Sequence, residues 1–563
     1  MKWILAGISV LILASSLGIG SLEIDWGLPL RWNPDELTRP GDLLLESGGG
    51  RNYHYGTHHR RLARALVAPY LRACAGSPDA DLGEISTRPE PHTGMVLRLR
   101  TLSAVQSGLA VVVLFLVLAD AAGLAAACFA ALVLVALPVR IVTSHFATID
   151  SPLFFWSMLS VGALYLSVRQ GNLRWYAAAA FLAGLATTTK PVAGLLVVAL
   201  GIAPLVMFPE RPGWRGLPGC WVLGAGAFIA GVLVGCPEMV TDARTYWRQN
   251  LTNPTAAKRA VHAIPGYQWW MTPDRWARSW GGWPWAVLAA AGAVACLRSE
   301  KPYLKRFALA VVPWALLVVV YFTVSPTGDV RNSLCAGAAL SAFAAATTCR
   351  AIASSRRPWA KIALGLLVLV SLVHLGAFSV ISVRLFSLDP RIRLEQWLDR
   401  HGAPGQVVEY YSPVRLRVPA DLVARRIPMA GQPHLVHPTE TALAPLFRWY
   451  HRQVKHDWEE WMGQHRRVLE DLRQEAQRAA LKLTREALAE RNPDWLVIDT
   501  DSLTAIETGQ VPFPEGVRYV RALLDGKMGY RVIETFAPPF GYSPDFWFPP
   551  TAHMSVYLLA PGR

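Results

Sequence analysis

Acidic, basic and imidazole side chains gather at a few places in an otherwise apolar chain, and their types suit group transfer beside a membrane. The first place is Trp32-Asn33-Pro34-Asp35-Glu36. Read as structure, it is a helix start: Asn33 is a good N-cap, Pro34 suits the first helical position, and Glu36 completes a capping box. Asp35 is not needed for that cap. A carboxylate beside helix N–H groups stays ionised and could act as a general base. The stretch from Arg51 to Arg64 sets Tyr55, His54, His58 and His59 among arginines. Such a basic, aromatic patch suits lipid headgroups. Its histidines could also hold a metal, although no carboxylate stands at a ligand spacing. His145 and Asp150 belong to the run His145-Phe146-Ala147-Thr148-Ile149-Asp150, where Asp150 reads either as a helix N-terminal acid or as a site carboxylate. Lys190 follows three threonines between two apolar runs. There it either snorkels to the interface or meets a phosphate as a point charge. Glu238 and Arg331 stand at the ends of further apolar runs.

The elements that must position these residues follow from the composition. Of the 563 residues, 52% are hydrophobic and 17% charged, against about 25% charged in an ordinary soluble domain. That excludes a disordered chain and argues against a cytosolic enzyme. The net charge of +15 would suggest nucleic acid in a soluble protein. In a membrane protein it reflects cytoplasmic loops and anionic lipid, so membrane lipids are expected as partners and nucleic acid is not. The seven cysteines show no CxxC and no metal spacing, and they read as small core residues. A membrane-crossing helix needs roughly 20 apolar residues. Charge-free runs fall at 3–22, 101–119, 121–139, 151–168, 175–189, 191–209, 216–237, 279–297, 307–328, 332–349 and 362–383, which makes eleven candidate spans. The first reads as a retained signal anchor, because no clear cleavage site follows its apolar core. Basic residues in the short loops, such as Lys301, Lys305 and Arg306 or Arg350, Arg356 and Arg357, place the N-terminus inside. Under that topology Asp35, Asp150, Lys190, Glu238 and Arg331 all fall at the outer membrane boundary.

The expected architecture is therefore mostly α, a polytopic transmembrane helical bundle of about eleven spans with a C-terminal extracytoplasmic α/β domain. Residues 1–383 form the membrane module, with outer loops 23–100 and 238–278, and residues 384–563 form the outer domain. In the latter, Asp389-Pro390 opens a capped helix that Gly402 can close. Strands are expected at Gln406–Tyr411, Trp495–Ile498, Tyr530–Phe536 and Ser555–Leu559, with one or two long charged helices over 439–491. No catalytic signature is visible in this domain.

Taken in order, the motifs resemble the GT-C class of integral-membrane glycosyltransferases, above all family 39, which holds protein O-mannosyltransferases and lipid A aminoarabinose transferases. Trp32–Glu36 resembles the family's Pro-Asp-Glu motif. Asn52-Tyr53-His54-Tyr55 stands where the family has an aromatic stretch ending in Tyr-Pro, with Gly56-Thr57 here in place of the Pro. Arg100 resembles the Arg opening the second span, and Thr143–Asp150 and Gly184–Lys190 resemble two further family runs. Asp389-Pro390-Arg391 with Trp397-Leu398 resembles the start of the family's outer domain. The likeness covers most of 1–415 and the rest only loosely.

The resemblance implies a sugar carried on a polyprenyl phosphate and an acceptor hydroxyl on a protein, lipid or glycan. It implies Asp35 as the base of an inverting attack, with Lys190, Arg331 and Arg100 at the leaving phosphate. Glu36, His145 and Asp150 would orient the acceptor or Asp35, and Tyr55, His58 and Glu238 would add contacts. Some GT-C enzymes use a divalent metal, while this branch often does not, and no metal ligand set is assigned. A transporter is the competing class: it too would carry many spans and buried charges, but the sequence shows no internal repeat and its candidate charges share one boundary. A non-enzymatic scaffold, with the outer domain as its binding part, is the other. A reporter enzyme fused after Arg563 should report an extracytoplasmic location, and cytoplasmic reporting would reverse this orientation.

Overall fold

The computed structural model describes residues 2–28, 36, 57–77, 81–207, 216–243, 271–323, 330–411, 417–427, 483–499, 514–537 and 555–562. Most of these are helical, and every charge-free run lands on a helix. Among the described residues seven helices have the length and apolar composition to cross a membrane, and the chain is an integral membrane protein. An eighth span forms if the bent pair Leu124–Ala136 and Pro138–Ser144 counts as one. Among the described residues the expected eleven full-length spans are not confirmed. The other three runs make the shorter apolar helices Leu173–Thr189 of 17 residues, Pro191–Met207, and Trp283–Leu297 of 15 residues, against a usual span of roughly 20 residues and a range of about 17–25. Proline is one reason. Pro191 follows directly on Lys190 and opens a 3-10 turn, Pro191–Leu195, before the helix resumes at Leu196.

The 58° bend between Leu124–Ala136 and Pro138–Ser144 also has a proline at its joint, because Pro138 supplies no N–H to the preceding turn. The exposed Val135 carbonyl accepts from Arg140 Nε at 3.2 Å and Nη2 at 2.7 Å, and Arg140 Nη1 donates to Ser107 Oγ at 3.3 Å. A cation at a helix C-terminus is favoured by the helix dipole, which helps a fully buried arginine to sit inside an apolar bundle.

The helix Pro358–Ser387 leads to Asp389, whose side chain caps the next helix, Pro390–His401, by accepting from the Arg391 N–H at 2.8 Å. That helix buries Leu394 and Leu398 against a five-stranded sheet. The strands are β1 (Val407–Tyr411), β2 (Val423–Arg426), β3 (Trp495–Asp499), β4 (Tyr530–Phe536) and β5 (Val556–Pro561), in the order β2-β1-β3-β5-β4. β1 runs parallel to β2 and β3, while β5 is antiparallel to both β3 and β4. Four of the strands lie where the apolar runs place them. β2 was not anticipated, since Val-Ala-Arg-Arg on a sheet edge shows no alternation. Of the expected helices over 439–491, Arg485–Arg491 is formed, and 439–482 lies outside the described residues. Four of the seven cysteines are buried as expected, but Cys74 and Cys128 are exposed.

Glycine decides how closely the helices Leu173–Thr189 and Gly216–Gly235 approach. A Cβ at Gly231 would overlap the Phe181 carbonyl oxygen, and one at Gly184 would overlap that of Phe228. Small residues at such a crossing let two backbones touch, which is how membrane helices gain packing without a hydrophobic driving force. Gly226, on the same helix as Gly231, has nothing within 4 Å of a Cβ. Gly231→Ala should therefore destabilise the protein by about 1–3 kcal/mol through overpacking, while Gly226→Ala should be neutral or slightly stabilising. Thermal unfolding in detergent measures the difference, and equal melting temperatures for the two variants would contradict this packing.

Candidate functional site

Asp150, the first residue of the helix Asp150–Gln170, gathers two cations around a buried carboxylate. Its Oδ1 accepts from Lys190 Nζ at 2.8 Å, and its Oδ2 accepts from Thr148 Oγ1 at 3.1 Å. Arg331 Nη1 stands 3.5 Å from Oδ2. Each partner is delivered by a helix end. Lys190 terminates Leu173–Thr189 with φ −151° and ψ 126°, the extended conformation that a following proline imposes, and its side chain is thereby turned away from the helix. Arg331 lies in the short turn Val330–Ser333 that precedes Leu334–Ser354. Trp280 Nε1 donates to Ser333 Oγ at 3.2 Å and braces that turn. The carboxylate is only 2% exposed, whereas the Lys190 and Arg331 side chains are 19% and 15% exposed. The two cations are therefore the more exposed members of the cluster.

Arg100 and Glu36 form a second centre. Arg100 Nε donates to Glu36 Oε1 at 2.7 Å and Nη2 to Oε2 at 2.9 Å, the fork geometry of a strong ion pair. Arg100 Nη1 donates to the carbonyls of Ile24 and Trp26 at 2.6 and 2.8 Å. The Ala147 N–H also donates to Glu36 Oε1, at 3.0 Å. Both side chains are buried. Arg100 is thus directed at Glu36 and at the turn after the first helix, and not at the cluster with Lys190 and Arg331 where the sequence groups it. Both oxygens of Glu36 face the Arg100 guanidinium, a long-range pairing that a local capping box does not foresee.

The remaining candidates lie around these centres. His145 has Nδ1 2.7 Å from the Ile141 carbonyl and Nε2 2.8 Å from that of Leu22, and its ring stacks on Phe386 with centroids 4.6 Å apart. It ties the first helix to the segment before Asp150. His58, in the helix Thr57–Ala75, lies 3.2 Å from the hydroxyls of both Thr188 and Thr189 and edge-on to Trp156. Burial lowers its pKa to about 4, so the ring is neutral near pH 7 and braces the residues just before Lys190. Glu238 pairs with Arg61 on the same helix as His58. Asp35 and Tyr55 lie outside the described residues. Among the described residues no three His, Cys, Asp or Glu side chains converge as metal ligands. The residues that sequence reasoning missed are Thr148, Trp280 and Trp26. Trp26 and Trp280 are common interior or interfacial types whose partners lie 363 and 53 residues away, whereas Thr148 bonds Asp150 two residues on, inside a motif that the sequence singles out.

The model of the dolichyl-phosphate-mannose-protein mannosyltransferase family matches residues 51–213, a stretch that contains His58, Arg100, His145, Asp150 and Lys190. No curated protein matches the sequence. Among solved structures, ArnT from Cupriavidus metallidurans bound to undecaprenyl phosphate is 13% identical over 98% of both chains, with a TM-score of 0.49. The apo state of the same enzyme is 14% identical over 98% of both, with a TM-score of 0.45. The Archaeoglobus fulgidus oligosaccharyltransferase in complex with Zn and sulfate is 13% identical over 92% of this chain and 71% of that one, with a TM-score of 0.48. The family match over residues 51–213 thus agrees with the resemblance to GT-C glycosyltransferases carried by the ordered motifs.

Proposed function

We propose that this chain is an inverting membrane glycosyltransferase that moves a sugar from a polyprenyl phosphate to an acceptor hydroxyl at the outer face of the membrane. The observation that carries this reading is the meeting of Lys190 and Arg331 at Asp150, inside an apolar bundle. Two cations at a membrane boundary suit a lipid-borne phosphate, and the name of the matched family points to the same donor type.

In this reading the donor phosphate lies against Lys190 and Arg331. Asp35 takes the proton of the acceptor hydroxyl, whose oxygen attacks the anomeric carbon. The bond to the phosphate oxygen breaks with inversion, and the two cations stabilise the charge that develops on the departing phosphate. Asp150 holds the cations together before the donor arrives and keeps their charge from spreading into water. Arg100 holds Glu36, the residue after Asp35, while His145 braces the first helix and His58 braces the threonines before Lys190. The acceptor is a protein, lipid or glycan hydroxyl, and the C-terminal domain lies on the same outer side as the site.

The test is transfer of radiolabelled sugar from polyprenyl phosphate by purified protein in vesicles, normalised to folded protein. Lys190→Ala removes an interaction with a charged group, typically worth about 1.5–3 kcal/mol, and should weaken donor use on the order of 10–100-fold. Asp35→Asn keeps the shape but cannot take the proton, and should lower turnover about 10²–10⁴-fold. Glu36→Gln is the contrast. It leaves the Arg100 charge buried without its counter-ion, so its main loss should be of folded protein and not of rate per folded molecule. Near-normal turnover by Asp35→Asn would remove the mechanism, and wild-type donor kinetics in Lys190→Ala would remove Lys190 from the phosphate.

A further inference from the structure

The Trp26 side chain joins two parts of the chain that lie 363 residues apart. Its indole Nε1 donates to Asp389 Oδ2 at 3.0 Å. The ring stands edge-on to both Phe146 and Phe386, with centroids 5.6 Å away in each case, and the Arg391 guanidinium carbon lies 5.4 Å from its centre. Trp26, Asp389 and Arg391 are all buried. Asp389 does more here than cap a helix. A cap needs one backbone N–H, which Arg391 supplies. Asp389 also accepts from Arg391 Nε at 3.1 Å and Nη2 at 2.8 Å, and from the distant indole.

From Trp26 the polar contacts continue inward. The Trp26 carbonyl accepts from Arg100, Arg100 grips Glu36, and Glu36 accepts from the Ala147 N–H. The outer domain's first capped turn is therefore linked by an unbroken line of buried hydrogen bonds to Glu36, one peptide bond from Asp35.

We propose that Trp26 and Asp389 are positioning residues: the docked start of the C-terminal domain sets where Glu36, next to Asp35 in the sequence, sits. This rests on the glycosyltransferase reading above for its consequence on rate, although not for its geometry. The chemical reason is rigidity. The carbonyls of Ile24 and Trp26 fix one side of the Arg100 guanidinium, so a change in the position of Trp26 rotates the fork that holds Glu36. A catalytic group misplaced by about 1 Å can lose on the order of 100-fold in rate, with no change in how the donor phosphate binds at Lys190 and Arg331.

Two variants of the full-length protein test this. Trp26→Phe keeps an aromatic ring and removes only the N–H donor. Asp389→Asn keeps a good helix cap and loses the charge. The measurements are binding of radiolabelled polyprenyl phosphate, sugar transfer per bound site, and hydrogen exchange of the peptide containing Ala147. In both variants the number and affinity of polyprenyl-phosphate sites should stay within about 2-fold of wild type, transfer per site should fall about 10–100-fold, and Ala147 should exchange faster. Wild-type transfer per site together with wild-type exchange would overturn the proposal. So would fewer binding sites with an unchanged rate per site, since that means the contact only holds the fold. If the wild-type protein neither binds polyprenyl phosphate nor transfers sugar, the donor reading fails instead. Exchange at Ala147 then still decides the coupling, with acceleration in Trp26→Phe upholding it and no acceleration overturning it.

Discussion

A guanidinium removed from water loses several kcal/mol of hydration unless its charge and its donors are met inside the protein. Arg100 is buried within a membrane helix and meets that demand with a fork to Glu36 and two backbone carbonyls after the first helix. The demand runs both ways. Glu36 can be buried only because Arg100 is there, and the turn at Ile24–Trp26 is held because its carbonyls complete the arginine's coordination. Around this pair sit Ala147, three residues before Asp150, and Trp26, which reaches the C-terminal domain. Removing either charge would leave the other stranded, so the placement of Glu36 and of the turn at Ile24–Trp26 depends on the pair.

The second charged centre has a different character. At Asp150 the acid is buried, while the two bases keep part of their surface accessible. One centre is closed and suited to holding a backbone in place. The other is open on its cationic side and suited to receiving an anion. The second lies where helices end, because an interrupted helix is where polar groups gain partners inside an apolar bundle. Pro191 turns Lys190 outward, and the short turn before Leu334 delivers Arg331. Arg140 shows the same logic without a ligand, since its guanidinium closes a carbonyl freed at the Pro138 break.

Much of this was legible in the sequence where local rules apply. A run of apolar residues must become a buried or lipid-facing helix, so the helices appear where the charge-free runs lie. Asp389-Pro390 declares a cap and first turn through the chemistry of two residues, and the structure forms them. Four of five strands follow from short apolar runs. The continuity of the helices is less legible, because absence of charge marks where a helix is permitted and not how long it remains continuous. The 58° bend at Pro138 divides a run that composition alone treats as whole, and Pro191 opens the next run with a 3-10 turn.

By itself the sequence determined the class of molecule, the place of most of its helices and strands, and the short set of ionisable residues set among apolar runs. Those properties depend on composition and on neighbours a few positions apart. Only the tertiary structure decided who pairs with whom. Lys190 meets Asp150 across 40 residues, Arg100 meets Glu36 across 64, and Trp26 meets Asp389 across 363. The physical reason is that burial makes every charge seek a partner, but the partner is chosen by which helix ends the packing brings together. That packing is set by contacts such as those of Gly184 and Gly231, which no local pattern assigns to each other. Arg100 shows the consequence: the family resemblance implies a phosphate contact for it, and the fold turns it toward Glu36.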